Sequence, residues 1–208
     1  MPALRGSLTY ARFFVEGELA KDFRERLMRA IWLRAMKTLD PDEDVSERSG
    51  WCRIGEPFEV SLNHDSVYYD NFLNLGFRTD RWVIAGPLLR ARMREAEAAY
   101  LAKKGRERLS KHERAELKEV VSRKLRKQLV PSTRAIDLSW SLDEGLVRFF
   151  SQSARPIASM LELFEKTFGH KLTPESPYTL AARSSLHKAV DKGWDALEVT
   201  QLASGREV

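Results

Sequence analysis

Residues 133–150 read Thr-Arg-Ala-Ile-Asp-Leu-Ser-Trp-Ser-Leu-Asp-Glu-Gly-Leu-Val-Arg-Phe-Phe. Apolar Ile136, Leu138, Trp140 and Leu142 alternate with Asp137, Ser139 and Ser141, the period-two signature of a half-buried strand. Asp143-Glu144-Gly145 then forms a tight turn, and Leu146 to Phe150 returns as the second strand of a hairpin. Downstream, Ile157, Met160, Leu161, Phe164 and Phe168 recur at helical spacing, and Gly169 stands where a helix ends on a C′ glycine. Antiparallel strands followed by an amphipathic helix point to an α+β fold.

Upstream of the hairpin the periodicity is helical. Gly86-Pro87 opens a helix, since proline suits the first helical turn, and this helix runs to about Lys104 and ends at Gly105. Ser110-Lys-His-Glu113 is a capping box, in which the hydroxyl and the carboxylate each satisfy a free N–H. The helix it opens continues to about Lys127, with Leu117, Val121 and Leu125 on one stripe, so 86–131 reads as an inserted helical hairpin. Before it, Ser7–Val15 reads as a strand broken by Gly17, and Glu18–Met36 as a helix with a Leu19, Phe23, Leu27, Ile31, Ala35 stripe. Asp40–Asp44 is an acidic loop, Trp51–Ile54 a short strand, and Val67–Leu75 with Phe77–Ile84 a pair of strands. Pro174 and Pro177 break the tail, and Ser184–Leu197 reads as a last short helix. The division is then an N-terminal α+β part (1–85), the hairpin (86–131), a β-hairpin and helix completing the body (132–180), and a tail (181–208).

Composition bounds the function. The 208 residues are 43% hydrophobic and 31% charged, with ten Phe and five Trp, enough apolar material for a packed core. A single cysteine, Cys52, excludes a disulfide framework and a thiolate zinc site. The longest apolar run, Trp82–Leu89, contains Gly86 and Pro87 and falls far short of a membrane span, and the first residues lack the apolar core of a secretory signal. The expectation is a cytoplasmic protein of a reducing compartment, without a membrane partner. Net charge is only +5, but residues 86–134 hold 15 Lys and Arg against six Asp and Glu. That local +9 sits on a body carrying −4.

Signatures of catalysis are missing. His64, His112, His170 and His187 are scattered, with no His-Glu-x-x-His, and the phosphate-loop, dinucleotide and nucleophile-elbow motifs are all lacking, so no metal, cofactor or enzyme activity is expected. Cys52, between Trp51 and Arg53, reads as a buried structural thiol rather than an activated one. Asp65, Asp70, Asp80 and Asp137 lack the spacing of a two-metal nuclease, and Asp137 reads as a solvent-facing strand residue. Tyr68, Tyr69, Phe72 and Phe77 read as core rather than as a base-stacking platform, and Tyr178 and Trp194 as anchors of the last helix or of a partner. The cations carry the signal. Arg123, Lys124, Arg126, Lys127 and Arg134 fall between Val120 and Ile136 with no carboxylate, and Arg123, Arg126 and Lys127 share a helix side. Lys103, Lys104, Arg106, Arg108 and Lys111 form a second patch at the hairpin turn. Such a block is either a solvated helix face or a polyanion site.

The ordered set of elements resembles the recombination-associated RdgC family of bacterial DNA-binding proteins. The likeness is clearest from Leu109 to Phe168: Leu109-Ser-Lys-His-Glu-Arg-Ala-Glu-Leu-Lys-Glu-Val120, a basic helix end, a strand ending in Trp140, a turn with Gly145, a second strand, and a helix closing on Phe168-Gly169. Weaker similarity covers the opening strand and helix, Ser49-Gly50-Trp51 and Trp82–Leu89, about 180 residues in all. The resemblance implies a non-catalytic homodimer that encircles duplex DNA with little sequence preference, associates with the nucleoid and restrains RecA-driven strand exchange. It also implies that the ten cations named above line the hole or its rim. Family members are longer, and where they carry an aromatic ring-closing contact this chain has Arg126-Lys127-Gln128-Leu129. The rival expectation is an assembly module whose basic hairpin docks an acidic partner, such as the Asp40–Asp44 loop of a neighbouring copy. A nuclease is the third.

Overall fold

The computed structural model describes residues 9–19, 22–184 and 193. Its centre is the strand pair that the alternating segment announces. Strand β5 (Ser132–Ser141) runs antiparallel to β6 (Leu146–Phe149) across the Asp143–Gly145 turn, pairing Leu138 with Phe149 and Trp140 with Val147. On its other side β5 pairs along its whole length with β4 (Phe72–Arg81), from Phe72 opposite Ser141 to Arg81 opposite Ser132. With β1 (Ala11–Val15), β2 (Glu47–Cys52), β3 (Tyr68–Tyr69) and β7 (Leu172–Pro174) these make one antiparallel sheet, in the order β2-β4-β5-β6-β1-β7 with β3 attached to β4. The α+β expectation holds.

One sheet face carries the core. Trp51, Leu73, Leu75, Phe77, Leu138, Trp140, Val147 and Phe149 are all buried beneath α1 (Phe23–Leu33) and α5 (Ala154–Phe168), which present Leu27, Ile31, Met160 and Phe164. The aromatic rings meet edge-on or tilted, as their quadrupoles prefer: Trp51 with Phe77 at 6.2 Å, Phe77 with Phe149 at 5.9 Å, Trp140 with Phe164 at 5.2 Å. The Trp51 indole N–H donates to Thr167 Oγ1 at 2.9 Å, so this polar atom enters the core satisfied.

Several sequence expectations need correction. The helix expected over 18–36 spans only Phe23–Leu33, because Asp22 is its N-cap and Ala35 already bridges Trp51 beside the sheet. The strand expected at 51–54 begins four residues earlier, at Glu47. It includes Gly50, where a Cβ would lie 2.6 Å from the Met36 backbone. The two strands expected at 67–75 and 77–84 do not pair with each other. A single turn of helix, α2 (His64–Val67), and the short β3 precede one continuous strand, β4, that runs through Gly76. At Gly76 a Cβ would meet Cys52 Sγ at 2.6 Å, so the glycine marks a close approach rather than a break. Tyr69, expected in the core, is 79% exposed, whereas Tyr68 and Phe77 are buried and Phe72 half-buried. Strand β7 and helix α6 (Pro177–Arg183) occupy the stretch read as a broken tail. The helix expected at 184–197 falls outside the described residues apart from Ser184 and Gly193, as does Trp194.

Candidate functional site

Helices α3 (Gly86–Lys104) and α4 (Lys111–Arg126) form a two-helix arm inserted between the adjacent strands β4 and β5. Its ends are those the sequence dictates. Pro87 sits in the first turn, and Gly105 closes α3 in the left-handed conformation at φ 61°. Ser110 Oγ accepts from the Glu113 N–H at 3.2 Å, while Glu113 Oε2 accepts from the Ser110 N–H at 2.9 Å. Those hydrogen bonds hold the Glu113 carboxyl below its ordinary pKa. Arg114 pairs with Glu97 at 2.9 Å, and Tyr100 donates to Glu113 at 3.3 Å, tying one helix to the other. No residue of α3 is buried, and α4 buries only Val121, Ser122 and Leu125 near its end. The helices pack chiefly on each other. Nineteen residues of α3 reach roughly 28 Å.

Along one side the two helices enclose a groove of about 560 Å³ walled by Arg90, Arg94, Lys111, Arg114 and Lys118, with Glu97 the one carboxylate. Arg114 is committed to Glu97, but Arg90, Arg94, Lys111 and Lys118 make no ion pair among the described residues. Of these, the sequence expectation includes only Lys111. The signal for the others lies in the spacing: Arg90 and Arg94 are i, i+4 on α3, and Lys111, Arg114 and Lys118 are i+3 and i+4 apart on α4, so each set shares a face.

The ten expected residues fall into three situations. Lys103, Arg108, Lys111, Arg123, Lys124 and Arg134 are exposed without an ion pair among the described residues. At the tip, Lys104 lies 5.8 Å from the centre of the Tyr100 ring, and Arg106 pairs with Glu113 at 3.3 Å. At the root, Lys127 pairs with Asp42 at 2.8 Å and Arg126 donates to the Glu43 carbonyl at 3.2 Å. Arg48 in turn pairs with the Glu43 carboxylate and donates to Thr38 O at 2.8 Å. The acidic loop thus meets the basic helix end of its own chain. The trio expected to face one partner is divided, with Arg123 open and Arg126 and Lys127 engaged.

The remaining candidates settle into the body. Cys52 is fully buried, and burial pushes its thiol up to about 12, the opposite of an activated nucleophile. Asp137, expected to face solvent, is 3% exposed, because it stands opposite Gly76 on the sheet face that also bears the buried Cys52. Asp80 is equally buried and receives Arg78 Nε at 2.8 Å, Arg78 Nη2 at 2.5 Å and Thr133 Oγ1 at 2.8 Å. Asp65 and Asp70 are exposed and apart from them. Among the described residues no group of three or more His, Cys, Asp or Glu is arranged to hold a metal ion, and no helix is long and apolar enough to cross a membrane. Compared with known proteins, the chain matches no family profile and no curated sequence.

Proposed function

We propose that this chain is a non-catalytic, sequence-tolerant DNA-binding protein whose two-helix arm holds the phosphate backbone. The observation that carries the reading is the open charge of the arm. Four cations along one groove lack carboxylate partners, and further unpaired cations extend to the tip and to the root. Unpaired cations on a projecting element repel one another and gain free energy when phosphates replace their condensed counterions. Such contacts position a duplex without reading its bases, which is why sequence tolerance goes with them. Through the family resemblance the proposal extends to a cytoplasmic, nucleoid-associated homodimer that clamps duplex DNA, acts in recombination and restrains RecA.

Fluorescence anisotropy with random duplex and single-stranded oligonucleotides across a salt series tests it. About five phosphate contacts give a log–log slope near −4.5 for duplex, similar for unrelated sequences. Absence of binding at low salt overturns the reading. One observation favours a second reading, an assembly module with an acidic protein partner: the root cations Arg126 and Lys127 already hold an acidic segment. Failure to bind DNA at low salt, with retention of a synthetic acidic peptide carrying the Asp40–Asp44 sequence, selects that alternative.

A further inference from the structure

Helices α1 and α5 cover the core face of the sheet but not all of it. Because α5 begins only at Ala154, the last residues of β4 and the first of β5 extend beyond its cover, and a cleft of about 420 Å³ opens there. Phe77 and Ile136 form its apolar floor. Arg81 enters from β4, Arg134 from β5 and Arg155 from the first turn of α5. Glu47 also lines the cleft and stands opposite Arg81 in the β2–β4 register, but it is paired with Arg155 at 2.7 Å, and neither Arg81 nor Arg134 forms an ion pair among the described residues. The register places Arg81 opposite Ser132 and Arg134 opposite Thr79, so the two arginines are diagonal neighbours on one face, about 7–8 Å apart. Two like charges carried on neighbouring strands of one face, over an apolar floor, gain from an anion between them. The hydroxyls of Ser132, Ser153 and Ser159 also line the cleft and make no hydrogen bond among the described residues.

We infer that this cleft binds the phosphate of a nucleotide, Arg81 and Arg134 gripping the phosphate while the sugar and base rest toward Phe77 and Ile136. The volume lies within the range of small-molecule sites and is far larger than inorganic phosphate alone requires. Guanidinium groups suit the ligand because their planar donors match phosphate oxygens in pairs. The nucleotide has two possible sources, a free nucleoside monophosphate or the phosphorylated end of a DNA strand. Only the second rests on the DNA-binding reading.

The test is calorimetric titration of the full chain with deoxyadenosine monophosphate and with deoxyadenosine, followed by anisotropy with single-stranded oligonucleotides bearing a 5′-phosphate or a 5′-hydroxyl. The monophosphate binds and the nucleoside does not. Arg81→Gln, an exposed change that leaves the fold intact by circular dichroism, weakens the monophosphate at least tenfold, Arg81→Lys less so, and Arg26→Gln on the exposed side of α1 leaves it unchanged. A preference of tenfold or more for the 5′-phosphorylated oligonucleotide identifies strand ends as the source, and equal affinity identifies the free nucleotide. Equal binding of monophosphate and nucleoside, no binding at millimolar concentration, or an unaffected Arg81→Gln variant overturns the inference. Duplex binding by the arm is read separately, so loss of either property leaves the other measurable.

Discussion

The sheet body and the two-helix arm differ in how most of their cations are used. In the body, Arg12 meets Glu175 at 2.5 Å and Arg155 holds Glu47, fastening one segment to another, while Arg78 neutralises the buried Asp80 within β4 and leaves it to accept Thr133 from β5. In the arm, Arg90, Arg94, Lys103, Arg108, Lys111, Lys118, Arg123 and Lys124 point outward without a carboxylate. Apolar burial divides the same way. Trp51, Trp140, Phe77, Phe149 and Phe164 are enclosed in the body, while α3 encloses nothing. Cohesion is therefore concentrated in the body and open charge in the arm, with Arg81 and Arg134 among the body's own open cations, at the arm's root. A region that supplies the hydrophobic free energy need not expose charge, and a region that exposes charge is held by caps and a shallow seam.

Substitutions can break that division or sharpen it. Trp140→Ala removes a fully buried ring and costs about 3–5 kcal/mol of global stability in chemical denaturation, whereas Met93→Ala in the arm costs about 1 kcal/mol or less. Equal losses would mean that the arm belongs to the cooperative core. Replacing Arg90, Arg94 and Lys118 together by Ala makes the salt slope of duplex binding shallower by about 2.7, with an unchanged circular dichroism spectrum. An unaltered slope would remove the groove from the contact surface. Ser110→Ala opens the capping box of α4 and costs about 1 kcal/mol, read as faster amide exchange over 111–117 while β4 and β5 stay protected. The smallest effect belongs to Asp42→Asn. Its ion pair with Lys127 is exposed and worth less than about 1 kcal/mol, so releasing that lysine raises duplex affinity by less than about fivefold. Lower affinity instead would show that the loop positions the root rather than occupying it.

Local signals are legible where local chemistry decides the outcome. Pro87, Gly105 and the Ser110–Glu113 box mark both helices of the arm almost to the residue, and the alternation of 133–142 marks β5. Where a distant segment decides, the reading fails. Gly76 looks like a strand end until Cys52 is brought against it, and Asp137 looks solvent-facing until the neighbouring strands place Gly76 opposite and Cys52 beyond it. At the candidate site, counting charge locates the arm but not its groove, because a count ignores which helix face each cation occupies. The engagement of Arg126 and Lys127 by residues 42 and 43 joins positions more than 80 apart; complementary charge links the two segments in the sequence, as in the expected docking on a neighbouring copy, but nothing in their spacing says that the contact closes within one chain.

Arg81 and Ser132 are register partners, and the whole arm enters and leaves the sheet between them. Topologically, β4 and β5 are a hairpin whose turn has been replaced by two helices. Closing a longer flexible loop adds only about 0.6 kcal/mol for each doubling of its length. The sheet is thus nearly indifferent to the length of what hangs between those strands, and the arm can lengthen, shorten or exchange its surface without renegotiating the core. The arm is a replaceable attachment, and the mount that carries it is fixed.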